Sequence, residues 1–531
     1  MTTDTKGRAR LVAVFAALLA AAPGTARAQL SDLRHAPNAA GEGIAKSLAE
    51  QIGAGRGDAT TRGSSLFLIE RDPYRAIRRG RQLFQRKFNQ AEGLGPRVGN
   101  GAGDIGKNVA IGAGLVDSCA GCHGRPRGAA GAGGDVVTRP DSRDAPHLFG
   151  LGLKEMLADE ITAELRAIRA QAAADARASR APVTRELIGK GVSYGILTVH
   201  ADGSSDTSAV VGVDADLRVR PFLAHGGTVS IREFVVGALQ NEMGLQAHDP
   251  DLGTASRGGR VVTPSGMVLD GALDAIEAPP VAGPADDADD DGVANELPEA
   301  VVDYLEFYLL NYFKPGHAAE DPVAARSGRR VLERIGCTSC HVADLRLEHD
   351  RRVADVETTL DPRRGVFNRL FATATPLVWW LRDRSGFPER AVAKRGPFAV
   401  RDIFTDFKRH DLGPAFHERE YDGSIRTEFL TTPLWGVATT APYGHDGRSI
   451  NLTEVILRHG GEAQAARDAF AALGREPRRA LLAFLDSLVL FPPDDTASNL
   501  DPGDPGTPGF PQVGHGSIKL GVLFNDPSDR E

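Results

Sequence analysis

Cys119-Ala-Gly-Cys122-His123 and Cys337-Thr-Ser-Cys340-His341 contain all four cysteines of the 531-residue chain. C-x-x-C-H is the attachment signature of haem c: each thiol adds to one vinyl group of the porphyrin, and the adjacent imidazole turns onto the iron as its proximal ligand. A redox-active C-x-x-C pair and two halves of a zinc site are the competing readings. Two copies with the histidine in the same place, and no cysteine left over, favour haem. The sequence therefore predicts two covalently bound haem c groups, attached through Cys119, Cys122, Cys337 and Cys340, with His123 and His341 as proximal ligands. It also predicts no structural disulfide.

Covalent haem attachment belongs outside the cytoplasm, and the N-terminus agrees. Residues 1–28 read as a secretory signal, with Lys6, Arg8 and Arg10 as the basic region, residues 11–22 as the apolar region, and Ala26-Arg27-Ala28 as the cleavage site. An uncleaved anchor is the alternative, but the apolar run is short for a bilayer. A periplasmic or secreted protein with no membrane span in its mature chain is expected. With 62 Lys+Arg against 70 Asp+Glu, the net charge of −8 argues against a nucleic-acid partner.

The expected fold class is mainly α: two class I cytochrome c-like domains with a small β-hairpin insertion and long loops. Residues 29–71 have few large apolar groups and read as a mobile N-terminal segment. Residues 72–278 form the first domain, in which Ile77, Leu83, Phe84 and Phe88 fall on one helical face ahead of the first motif. Residues 154–180, without Gly or Pro, predict a long helix. Two β-branched runs, 194–199 and 209–219, flank Ala-Asp-Gly-Ser-Ser and predict the hairpin. Apolar residues at helical spacing from Ile231 to Leu239 predict another helix. Residues 279–298 form an acidic linker, residues 299–491 the second domain, and residues 492–531 a flexible tail rich in Pro, Gly and Asp. Helices are expected at 299–313 and 327–335, with a closing helix at 478–489.

Within the linker, Asp287, Asp289, Asp291 and Asn295 stand at positions 1, 3, 5 and 9 of a calcium loop, and Gly292 stands at position 6, where such a loop turns sharply. Position 12 is Pro298, so the bidentate acid is displaced, with Glu296 and Glu299 nearby. A solvated acidic linker is the alternative.

Beyond the haem motifs, the chain resembles the di-haem cytochrome c peroxidase superfamily, and within it the di-haem oxidoreductase family. The similar stretches are Phe88-Asn-Gln-Ala-Glu-Gly-Leu-Gly-Pro96, Gly150-Leu-Gly-Leu153, Asn241-Glu242-Met243-Gly244, residues 335–342 around the second motif, and His410-Asp-Leu-Gly413. The longest is Thr432-Pro-Leu-Trp-Gly-Val-Ala-Thr-Thr-Ala-Pro-Tyr-Gly-His-Asp-Gly-Arg448, followed by His459-Gly-Gly-Glu-Ala463. Together they span residues 75–490.

In that family the C-terminal haem usually takes a Met shortly after the His-Asp-Gly block as its second axial ligand. Here the matching position is His459, and no Met follows Met267. The resemblance therefore implies a bis-His second haem, His341 with His459, and His445 is the rival ligand. It also implies that the first haem is the reaction site. Glu242 matches the place of a distal carboxylate that shuttles a proton between the oxygens of peroxide; without the family, it reads as a solvated helix residue. His225 falls where the peroxidases carry a different distal signature with a Gln, absent here, so it lines the pocket or ligates the resting iron. Met243 is a further candidate ligand. Of the three tryptophans, Trp379, Trp380 and Trp435, the last lies inside the long similar block, either in the core or between the haems.

These readings predict an exported, peroxidase-like di-haem c-type oxidoreductase. Its small substrate would be peroxide or dioxygen, and its electron partner a small redox protein, cytochrome c or cupredoxin. The rivals are a non-catalytic di-haem electron carrier and a di-haem dioxygenase of the rubber-oxygenase type.

Overall fold

The computed structural model describes residues 47–95, 116–123, 143–311, 316–317, 321–353, 378–379, 389–390, 396–420 and 422–489. The signal segment 1–28, the tail 492–531 and Trp380 lie outside the described residues. Within the segment read as mobile, residues 65–71 form a helix that packs into the first core. Ser64 caps the helix Ser65–Arg71 by accepting from the Phe67 amide, and Phe67, Leu68 and Ile69 are buried.

Around the first motif, three helices share one core. Pro73–Gln85 begins with Pro at its first position and Asp72 as cap, an arrangement that suits an N-terminus because proline supplies no amide there. It crosses Glu299–Leu310 so closely that a Cβ on Gly80 would lie 2.1 Å from the Tyr304 carbonyl oxygen. Leu83, Phe84, Tyr304, Phe307 and Leu310 join Leu239 and Met243 of the helix Ile231–Met243 in this core. Glu299–Leu310, expected to open the second domain, packs in this first core.

The same device recurs around the second motif. Pro322–Arg334 crosses Arg475–Leu485, with a Cβ on Gly328 only 1.9 Å from the Ala480 carbonyl oxygen. Val331, Leu332, Leu481, Phe484 and Leu485 form its core.

Between these two cores lies a third. The 29-residue helix Leu151–Ser179 buries Leu157, Ile161 and Leu165 against Leu187, Tyr194 and Leu197 of a sheet, and the same cluster takes in Leu345, Val400, Ile403 and Trp435 from the second half. Tyr194 Oη donates to the Asp406 carbonyl at 2.7 Å, and Glu160 accepts the amides of Glu348 and His349 at 3.0 and 2.8 Å. The halves are thus fused through a mixed layer.

This overturns the expectation of a mainly α chain made of two class I cytochrome c-like domains. Helix accounts for 39% and strand for 15% of the described residues, and the strands pair into seven small sheets among those residues. The physical reason lies in the span between the motifs, where turn-punctuated, β-branched segments cover the apolar stripe of the long helix. The hairpin also differs. Val192–Val199 pairs with Val183–Gly189 across Lys190 and Gly191, both with positive φ, which matches the right-handed twist of a tight hairpin. On its other side it adds only Ser205–Asp206, and residues 209–219 form turns instead of a strand.

One charged residue ties the first core together. Arg232 has no exposed surface, and its guanidinium meets Asp249 at 2.7 Å, Glu306 at 2.8 Å and Asp303 at 3.0 Å. Ser65 Oγ donates to Asp303 at 2.5 Å and Thr263 Oγ1 to Glu306 at 2.7 Å. Removing one partner from such a cluster leaves buried charge uncompensated. Arg232→Leu is therefore expected to lower stability by about 3–5 kcal/mol, measured as a reduced midpoint in urea denaturation of the haem-loaded protein.

Candidate functional site

The first motif is itself a short helix, Cys119–His123, started by Ser118, whose Oγ accepts from the Gly121 amide at 3.1 Å. Cys119 and Ala120 pack against the core that contains Phe84, Phe88, Leu239 and Met243. Cys337 opens a single 3-10 turn in the second motif. No disulfide joins any of the four cysteines. Burial pushes the Cys119 thiol up to about 12 and Cys337 up to about 11. A redox-active C-x-x-C needs a thiolate stabilised near neutral pH, so these values speak against the dithiol reading.

Three histidines share one arrangement. His123 Nδ1 lies 2.8 Å from the Pro146 carbonyl oxygen, His341 Nδ1 3.0 Å from that of Phe404, and His459 Nδ1 2.7 Å from that of Val455. A carbonyl only accepts, so each Nδ1 carries the proton and each Nε2 presents a bare lone pair. That is the tautomer of a metal-bound imidazole oriented by its outer hydrogen bond. Burial, with a smaller repulsion from His459, lowers His341 to about 4.

His459 reaches this place through its chain context. Asn451 caps the helix Leu452–Arg458, and His459 is the residue that ends it. Arg458 pairs with Asp446 and donates to Ser449 Oγ at 3.0 Å, clamping the His-Asp-Gly block onto the helix. The Phe416 ring lies edge-on to His459, with centroids 5.3 Å apart.

Other histidines are engaged differently. Arg143 Nη1 lies 3.1 Å from His225 Nδ1, and a guanidinium only donates, so His225 carries its proton on Nε2. It is a hydrogen-bond donor in this state rather than an iron ligand. Arg143 also donates twice to Glu418 Oε2, at 2.9 and 2.8 Å. His445, the rival ligand, stacks on Phe429 at 3.8 Å and lies 3.7 Å from the same Glu418 oxygen; burial lowers it to about 4. The Asp144 amide donates to the His445 carbonyl at 2.9 Å, which sets this group beside the segment that holds His123. His225 also borders a cleft of about 210 Å³ with Arg409, Arg426, Thr427 and Glu428.

Arg143 and Glu418 escape sequence reading because 275 residues separate them. His410 is buried, which opposes its charge, but Asp406 at 2.8 Å and Glu462 at 2.7 Å push it up to about 11. Protonated on both nitrogens, it cannot ligate, although it approaches Cys340.

Trp435 lies in the wall between the two motifs. His147 Nε2 is 2.9 Å from its carbonyl oxygen, a Cβ on Gly150 would sit 2.4 Å from its ring, and it shares a core with Val342, the neighbour of His341. Its buried Nε1 finds no hydrogen-bond partner among the described residues.

Glu242 is exposed near the end of Ile231–Met243, while Met243 turns into the core that also receives Cys119. In the acidic linker, the carboxylates of Asp287, Asp289 and Asp291 converge within 4.8 Å of one another. Asn295 is exposed, whereas the next residue, Glu296, is buried. Burial and the charges of Asp289, Asp291 and Asp287 push Glu296 up to about 8.

Residues 397–488 match the family model described as "Di-haem oxidoreductase, putative peroxidase", which bears out the resemblance read from the sequence. Comparison with curated proteins finds no match. Among solved structures, the chain is similar to hydrazine synthase of Kuenenia stuttgartiensis, at 15% identity and a TM-score of 0.21, covering 36% of this chain and 55% of that one. A similarity at that level carries no argument about fold or activity.

The residues present fit two haem c groups. There are four thiols outside any disulfide in two C-x-x-C-H motifs, three imidazoles with Nε2 bare, and one buried indole N–H suited to a carboxylate. His459→Ala is expected to convert the second centre from low to high spin while leaving the first centre's spectrum nearly intact, as read by optical and magnetic circular dichroism spectra. Unchanged spectra would move the ligand elsewhere.

Proposed function

We propose that this chain is an exported, peroxidase-like di-haem c-type oxidoreductase with one reactive and one electron-transfer site. The observation that supports this reading is the uneven distribution of imidazoles with Nε2 bare: His123 at the first motif, and His341 with His459, which act electrostatically on one another, at the second. A haem c at each motif would supply one-electron storage and the activation of peroxide or dioxygen, chemistry that side chains alone do not provide.

The protein's own groups divide the work. Cys119, Cys122, Cys337 and Cys340 would hold the two groups covalently. His341 and His459 would both hold the iron at the second motif, which suits electron transfer, and His123 would hold it at the first. His225, fixed by Arg143 with its proton on Nε2, offers a hydrogen bond to a small oxygen substrate. Glu242, on the helix end whose buried side shares a core with Cys119, would accept a proton from one oxygen of peroxide and return it to the other. Trp435 stands where electrons pass between the two segments. The donor would be a small redox protein, cytochrome c or cupredoxin. No helix among the described residues is long and apolar enough to cross a membrane.

Glu242→Gln tests the division of labour. Both resting spectra are expected to survive, because the carboxylate is not a ligand, while stopped-flow reaction with peroxide slows by roughly 10²-fold or more. Reaction at the native rate would remove Glu242 from the pocket and favour the electron-carrier reading.

A further inference from the structure

The linker between the helices Ile231–Met243 and Glu299–Leu310 concentrates negative charge in a way that solvation alone does not explain. Asp287 accepts the amides of Asp291 and Gly292 at 3.1 and 2.8 Å, folding the loop so that three carboxylates face one point. Gly292, at φ 87°, makes the sharp turn. A solvated acidic run would spread its charges into water. Here a fourth acid is drawn in.

Glu296 is only 4% exposed, and no hydrogen-bond donor reaches its Oε1 or the buried Oδ1 of Asp289 among the described residues. The charges that act on Glu296 are those of Asp289, Asp291 and Asp287. No ion pair to Asp287, Asp289 or Glu296 is present among the described residues. Buried, unsatisfied oxygens on Asp289 and Glu296 beside two further carboxylates require a counter-charge, and an all-oxygen set on an Asp-x-Asp-x-Asp-Gly turn suits a hard divalent cation of calcium's size.

We propose that Asp287, Asp289, Asp291 and Glu296 bind a calcium ion that fastens the linker beneath the helix carrying Glu242. Glu296 replaces the displaced acid of the loop pattern, and Asn295 lies outside the set. The fastening is visible on both sides. Glu296 Oε2 accepts the Gln246 amide at 2.6 Å, and the Ala288 amide donates to Gln246 Oε1 at 3.1 Å. Ala247 bridges to Leu297. Gly93 leaves the room, since a Cβ there would lie 2.3 Å from Glu296 Cδ. Gln246 follows Gly244, the residue that ends the Glu242 helix, so the cation would set the position of that helix end.

The test uses the haem-loaded full chain, stripped with chelator and titrated with calcium chloride by calorimetry and thermal melting. One calcium per chain and a raised melting temperature are expected. Loss of one oriented outer-layer group at a metal site typically costs ~10–100-fold in affinity, so Glu296→Gln is expected to weaken binding by at least about tenfold. In chelator the order reverses: Glu296→Gln and Asp289→Asn melt above the unsubstituted protein because repulsion is relieved, and in calcium they melt below it. Asp289→Asn carries the test if Glu296→Gln does not fold. An absence of calcium binding and of any calcium-dependent melting shift would overturn the proposal, as would undiminished affinity in both variants.

Discussion

A neutral imidazole has one proton and one lone pair, and whatever fixes the proton decides where the lone pair points. In this chain, main-chain carbonyls of Pro146, Phe404 and Val455 take the Nδ1 protons of His123, His341 and His459, while Arg143 forces the opposite tautomer on His225. The roles of these histidines follow from those contacts. Three can ligate through Nε2, and one can donate from it. The direction of each Nε2 lone pair is thus set by backbone geometry.

The scaffold serves the same end by bringing distant segments together at close range. Gly80 and Gly328 let two pairs of helices cross nearly backbone to backbone, one pair beside each motif. Arg232 gathers Asp249, Asp303 and Glu306 into the first core, joining the helix that bears Glu242 to the helix that follows the acidic linker. The long helix Leu151–Ser179 and its hairpin then fuse the two halves, and Trp435 lies in that shared core. Such fusion keeps the two motifs at one spacing, which a pair of independently mobile domains would not.

The residues of the proposed site stand out locally in the sequence, whereas the architecture does not: two C-x-x-C-H motifs and His459, after the long similar block, mark the proposed attachment and ligand residues. Helices with clean apolar stripes were also readable: Ile231–Met243 and Pro322–Arg334 lie where periodicity places them, with ends displaced by a few residues. The class was misjudged because small antiparallel pairs leave weak signals, and the partner of Val192–Val199 turned out to be the preceding segment. The packing of Glu299–Leu310 into the first core is not legible locally, because its crossing partner lies over two hundred residues upstream, near Gly80. The pairing of Arg143 with Glu418 has no local trace at all. Glu296 was visible as an acid, but its burial against Gly93 is a tertiary fact.

The proposed asymmetry between two haem sites is read by low-temperature EPR of the resting, fully oxidised protein. Two ferric signals of comparable weight are expected, one high-spin from the His123 site and one low-spin of the bis-imidazole kind from His341 with His459. Two low-spin signals that persist on adding peroxide would contradict it.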